Sequence, residues 1–261
     1  MTIIELNKKY FPIPTEWNEL SQVQLLAVME TIFMRQYTSE QGELKLLKIL
    51  AGLNFLQFFR TKPTEMAEYL YLTKFLLAEQ SGLTKQLLPV YEDMYGPAGN
   101  FDNLIMKELV ISDALFMQWS EDKENISLLN NFCALLYRPA KLNYDHDKNP
   151  EGDPREPFNQ NLSEWNAKNI ICKWPMKVKL AIIYWYDACR WQLVEDNDEV
   201  FGEDSGNDVS KYGMVAVMLD VAESHALGDF TSVENHYVKT VLMQVNESIR
   251  KAKAQEKAMK A

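Results

Sequence analysis

The sequence predicts an all-α fold: a single-domain multi-helix bundle around a central apolar helix at about 175–194, with a long Pro-rich loop at 139–174. Four observations predict it. Residues 175–194 open on Pro175, and a proline suits the first turn of a helix because its missing N–H would have no intrahelical partner there. From Val178 to Tyr186 only Lys179 interrupts the apolar run, and a helix apolar on nearly every face needs other helices around it. Elsewhere apolar residues recur at helical spacing, as in Leu128, Leu129, Phe132, Leu135 and Leu136. Finally, no strand pair, internal repeat or Gly-rich linker stands out. The central run is too short and too close to Lys177, Lys179, Asp187 and Arg190 to be a membrane span of about 20 apolar residues.

In chain order, residues 1–14 read as an extended arm, closed by Phe11-Pro-Ile-Pro14, where two prolines forbid a helix. Ser21 with Gln24 forms a capping box, with Leu20 and Leu25 placed as a hydrophobic staple. The helix that follows runs to about Gln36 on Leu25, Met29, Ile32 and Phe33. A second helix follows Ser39 and runs through Leu44, Leu47, Leu50, Phe55 and Phe58 to about Arg60. Gly42 and Gly52 weaken it by about 1 kcal/mol each relative to alanine. Thr64 caps a third helix ending near Ala78, and residues 81–101 form a packed loop with a turn at Tyr95-Gly-Pro-Ala-Gly99. Helices at about 106–119 and 125–137 come next, the latter stopped by Pro139. Between Pro139 and Trp174 three further prolines, Pro150, Pro154 and Pro157, break any helical period, while Phe158, Leu162, Trp165, Ile170, Ile171 and Trp174 predict that the second half packs on the core. An acidic loop at 195–208 precedes a helix at 209–226. The last helix opens on a capping box of Thr231 with Glu234 and carries Val238, Val241, Leu242, Val245 and Ile249. The domain reading is an N-terminal arm 1–14, a helical domain 15–249 and a basic, frayed helix end 250–261.

Composition narrows the function classes. With 47% hydrophobic and 25% charged residues the chain has ordinary globular values. Its net charge of −10 repels phosphate and argues against a nucleic-acid partner. The opening residues carry no secretory signal, and Cys133, Cys172 and Cys189 are odd in number and lack CxxC spacing. Reduced thiols in a cytoplasmic protein follow.

No Walker loop, GxGxxG, HExxH or GxSxG is present, so no catalytic residue and no cofactor is assigned. Asp145, Asp147, Asn149, Glu151, Asp153 and Glu156 fall at positions 1, 3, 5, 7, 9 and 12 of a twelve-residue window, the ligand rhythm of a calcium loop. Against a metal site stands Pro150, where the sharp turn of such a loop needs glycine, and Pro157, which forbids the flanking helix. A solvated acidic loop is the reading preferred. Asp187 and Arg190 lie three apart on the central helix and are expected to form a structural ion pair, since buried charges must be paired. The basic segment from Arg250 (Lys251, Lys253, Lys257 and Lys260 against Glu256) could touch nucleic acid, but a solvated helix end suits an acidic chain better.

Three short pieces carry a resemblance. Tyr95-Gly96-Pro97, then Leu136-Tyr137-Arg138-Pro139 ending a helix, then Asp153-x-Arg155-x-Pro157-Phe158-Asn159 before the Trp/Tyr-rich helix resemble uncharacterised proteins of Bacteroides-type phages and prophages found among tail-morphogenesis genes. The resemblance covers roughly residues 90–200. It implies a role in virion assembly, with other tail proteins as partners and the proline-punctuated loop as a contact surface through Tyr95, Pro97, Tyr137, Pro139 and Phe158. Arg138 and Arg155 are expected to pair with nearby acids and to pin that loop to the helix ends. The expectation is therefore a non-enzymatic interaction protein of the host cytoplasm or the virion, with no membrane partner. A metal-dependent enzyme using loop 145–156 is the alternative.

Overall fold

The computed structural model describes residues 1–33, 39–142, 144, 152–201 and 214–260. In place of one bundle, the chain divides into two compact units. Residues 1–88 with 173–189 make the first, and residues 89–172 with 190–261 make the second. The fold is mostly helical, with two small antiparallel sheets that the sequence reading did not anticipate.

The first of these sheets corrects the N-terminal arm. Strands β1 (Thr2–Leu6) and β2 (Lys9–Ile13) pair as a hairpin, Thr2 opposite Ile13 and Leu6 opposite Lys9. Asn7 and Lys8 take the turn, both with positive φ, which is the backbone a two-residue hairpin loop demands. Pro12 is tolerated because a two-stranded ribbon has only edges. Ile4, Leu6 and Ile13 are buried, whereas Ile3 and Tyr10 face outward.

Helix α1 (Gln22–Phe33) starts as expected: Ser21 Oγ accepts from the Gln24 N–H, and Gln24 Oε1 accepts from the Ser21 N–H at 2.9 Å. Gln24 Nε2 also donates to the Leu50 carbonyl at 2.9 Å. It thereby satisfies an orphan acceptor at the end of α2 (Ser39–Leu50). The long second helix is a misreading. Gly52, at φ +61, turns the chain out of the helix, since glycine enters the left-handed region without steric cost. Asn54 then caps a separate α3 (Phe55–Arg60) through a full capping box. The third helix likewise reduces to α4 (Pro63–Ala67) and a 3₁₀ stretch, Leu70–Leu77.

The apolar run at 175–194 forms α8, Met176–Glu195, whose residues up to Cys189 belong to the first unit. Val178, Ala181, Ile182, Trp185, Tyr186 and Cys189 are buried. Trp185 Nε1 donates to the Thr84 carbonyl at 3.2 Å. Trp17 is held between Phe75, whose carbonyl accepts from its indole at 3.0 Å, and the Tyr184 ring at 4.9 Å. The helix is not sealed on every face, because solvent reaches Asp187, Trp191 and Val194.

The second unit holds strands β3 (Val90–Tyr91), β4 (Met94–Tyr95) and β5 (Arg138–Pro139), and helices α5 (Met106–Glu121), α6 (Ile126–Leu136) and α7 (Gln160–Asn169). The proline-rich stretch thus contains a helix after all. Asn159 accepts from the Leu162 N–H at 3.1 Å and starts α7 two residues beyond Pro157, a cap that the search for apolar period alone passes over. Short α9 (Asp198–Phe201) sits in what reads as an acidic loop, and α10 (Met214–Glu223) and α11 (Phe230–Glu234) follow. Asp229, not Thr231, caps α11, accepting from the Ser232 N–H and hydroxyl at 2.8 and 2.7 Å. Helix α12 (Val238–Lys260) includes the basic segment from Arg250 onward. Its Asn246 and Lys253 reach Asn197 and Glu199 at 2.7 and 3.1 Å.

Candidate functional site

The three motifs that carry the resemblance meet in the second unit. The middle strand β4 pairs Met94 with Pro139 and Tyr95 with Arg138. On the other edge of β5, Ala140 bridges Arg155, with Glu156 N–H donating to the Pro139 carbonyl and Lys141 N–H to the Pro154 carbonyl, each at 2.8 Å. Prolines confine these strands to pairs of residues, and the backbone groups they leave find partners across the bridges. Gly96 completes the joint. A Cβ there would lie 2.6 Å from the Tyr137 ring, so only glycine lets this strand press on the buried aromatic.

Behind the strands lies a closed ionic cluster. Arg155 is fully buried and donates from Nε and one terminal nitrogen to the two oxygens of Asp153, at 2.9 and 2.8 Å. The same nitrogen meets Glu108 Oε2 at 3.1 Å and the Asn103 carbonyl at 3.2 Å, and the other meets the Leu136 carbonyl at 3.2 Å. Arg138 pairs with Glu108 Oε1 at 2.6 Å and donates to the Leu135 carbonyl at 3.2 Å. Two guanidiniums thus face two carboxylates, and Glu108 bridges both. The forked, bidentate geometry is the one that makes arginine suited to buried pairing. The carbonyls of Leu135 and Leu136 belong to the last turn of α6, where cations are favoured and acceptors lack intrahelical partners.

The two arginines titrate in opposite directions. Burial lowers Arg138, and the neighbouring Arg155 charge adds to it, with Glu108 compensating only in part. Burial would lower Arg155 as well, yet Glu108 and Asp153 outweigh it and hold the group above its ordinary value. Arg138 Nε is buried without a hydrogen-bond partner, in keeping with its weaker position. Arg138 Nε apart, the charged groups of the cluster point at one another, so the geometry pins the strand region to α5 and α6.

Of the residues expected to face a partner, Tyr137 and Pro97 are instead buried, because Tyr137 fills the space against Gly96. Tyr95 and Pro139 are half-buried in the sheet, and Phe158 lies at the rim of an open cleft. Asp187 is exposed, and Arg190 meets Asp113 on α5 and lies 6.0 Å from the Phe116 ring. Asp145, Asp147, Asn149 and Glu151 lie outside the described residues. Asp153 is committed to Arg155, and among the described residues no group of three or more potential ligands gathers for a metal.

Reading the sequence missed Glu108, Asp113 and Asn103. Glu108 had a signal: with Ser112, Phe116 and Trp119 it occupies the buried side of α5, and an acid on an apolar stripe must have a partner. No such cue singles out Asn103, which contributes a backbone oxygen.

The cleft itself has a volume of about 360 Å³ and is lined by Ile111 and Leu115 of α5, Asn131 and Leu135 of α6, Phe158, and Gln160, Ser163 and Glu164 of α7. Apolar walls with a few polar groups are the usual make-up of a binding site, and the volume is at the small end of that range. No described helix is long and apolar enough to cross a membrane. Comparison with family models, with curated proteins and with solved structures finds no match to this chain.

Proposed function

We propose that this chain is a non-enzymatic interaction protein of phage or prophage tail assembly, with the cleft between α5, α6 and α7 as its partner surface. One observation carries the reading. The cleft's Phe158 follows Arg155 by three residues on a segment fixed by a fully buried guanidinium, so an apolar side chain is held ready at the cleft rim at little ordering cost. Asp153 and Arg155 of this segment are spent on that positioning. The alternative, a metal-dependent enzyme using loop 145–156, has weaker support, because both Asp153 oxygens already accept from Arg155.

Titration of the purified chain with the tail-tube, tape-measure and tail-completion proteins of a Bacteroides-type phage tests this. Micromolar or tighter binding to one of them is expected, lost at least about ten-fold in Phe158→Asp, a change that costs a buried apolar contact at an interface. Binding by none, or undiminished binding by Phe158→Asp with its melting temperature intact, overturns the proposal.

A further inference from the structure

A second surface, in the first unit, has a different chemistry. Between Leu44 and Thr64 the chain carries Lys45, Lys48, Arg60 and Lys62 and no acid, in a protein of net charge −10. The same stretch contains α3, which buries none of its residues. Phe55, Leu56 and Phe59 are 66%, 63% and 69% exposed. This presentation is built, not frayed: the Asn54–Gln57 capping box fixes one end, and Thr61 Oγ1 donates to the Gln57 carbonyl at 2.8 Å at the other. Folding also brings in cations from far along the chain. Asn7, at the hairpin tip, donates to Thr61 Oγ1 at 2.7 Å and through its N–H to Glu65 at 3.3 Å. Exposed Lys8 and Lys9 follow directly on Asn7, which is anchored at Thr61 between Arg60 and Lys62, with Glu65 as the acid at the same contact.

We infer that this knuckle seats on an anionic lipid surface. Phe55, Leu56 and Phe59 enter the boundary between headgroups and acyl chains, and Lys8, Lys9, Lys48, Arg60 and Lys62 meet the headgroups. Half-exposed Lys48 stands beside the same aromatics, its ammonium 5.1 Å from the Phe58 ring and 6.0 Å from the Phe55 ring. Other occupants fit less well. An amphipathic peptide needs a groove, and a helix without a buried residue offers a ridge. Phe55 and Phe59 pack on one another, centroids 4.4 Å apart, and Leu56 has no aromatic face, which suits acyl chains better than stacked bases. A second copy meeting this face in a two-fold contact would bring the same cations together. The contact is interfacial and needs no spanning helix, so it is compatible with the absence of one among the described residues.

Flotation with extruded vesicles tests this, using phosphatidylcholine alone and phosphatidylcholine with roughly one-third phosphatidylglycerol, where each cation near the surface adds about five-fold in affinity. Binding is expected only to the anionic vesicles, and high salt should release it. The double variants F55S/F59S and K48E/R60E should each bind at least about ten-fold more weakly. Circular dichroism and melting temperature should match the parent, since none of the four side chains is buried. Equal binding to neutral vesicles overturns the inference, as does undiminished binding by either variant. So does retention by single-stranded oligonucleotide or by a polyglutamate peptide in place of vesicles.

Discussion

Arg155 and Arg190 each meet a carboxylate of α5, yet their surroundings differ. The Arg155 side chain is 0% exposed and shares Glu108 with a second arginine, whereas Arg190 is 36% exposed beside Asp113, itself 28% exposed. Water screens the second pair and will solvate either partner if the other is removed. In the first, removing one member strands charge in a medium that cannot solvate it. The chemical pair is the same, and burial decides what it is worth.

The largest expected effect follows from that difference. Glu108→Ala leaves two buried guanidiniums with one acid between them and should cost about 3–5 kcal/mol, read as a lower urea midpoint for the intact chain. Arg155→Ala should fall in the same range and should speed proteolysis within residues 152–169. A loss below about 1 kcal/mol for either would put the cluster on the same footing as the exposed pair.

Gly96→Ala probes how tightly the strand region is held without altering charge. Its methyl would meet the buried Tyr137 ring at 2.6 Å, and overpacking of this kind costs about 1–3 kcal/mol. Thermal unfolding of the variant checks it. If melting is unchanged, the ring can move and the joint is looser than the geometry implies.

Smaller still, Asp113→Asn should cost no more than about 1 kcal/mol, and the difference from the parent should shrink further in high salt. A cost as large as that of Glu108→Ala would remove the distinction between the two arginines.

The smallest effect is pH-dependent. Hydrogen bonds from the Ser232 hydroxyl and N–H hold the Asp229 carboxyl below its ordinary value. A depressed acid contributes stability above its unfolded pKa and loses it as pH falls through the folded one. Proton titration followed by NMR should place Asp229 below other exposed aspartates, and Asp229→Asn should flatten the acid limb of stability. The arginine cluster adds no such slope near neutrality, since guanidiniums stay protonated there.

How much of this was legible in the sequence depended on the range of the interaction. The Ser21–Gln24 box, the Pro175 start of α8 and the stop of α6 before Pro139 are local, and each is written in a few adjacent residues. Gly52 was visible but read as a weak helix position, because helical spacing on both sides of it hid the left-handed turn. The β1–β2 hairpin escaped notice since Asn7-Lys8 is an unusual turn pair and Pro12 argued against a strand. The arginines of the candidate site could be named from sequence, whereas the partner Glu108 lies 47 residues from Arg155 and only folding brings it there. Motif alone also gave no sign that Tyr137 and Pro97 are buried, and at Tyr137 the ring packs on Gly96. Spacing along a helix fixes reach and not burial, so the exposure of Asp187 could not be read from its distance to Arg190.

The first unit is drawn from two separate stretches, residues 1–88 and 173–189, and this sets an order on its birth. Trp17 rests on Tyr184, a residue that the ribosome makes only after all of 89–172. At typical synthesis speeds the amino-terminal stretch must wait roughly 4 to 17 s for its missing helix, while residues 89–172 emerge ahead of it. During that interval nascent Trp17 has no Tyr184 ring to cover it, which makes the early chain a natural client for chaperones.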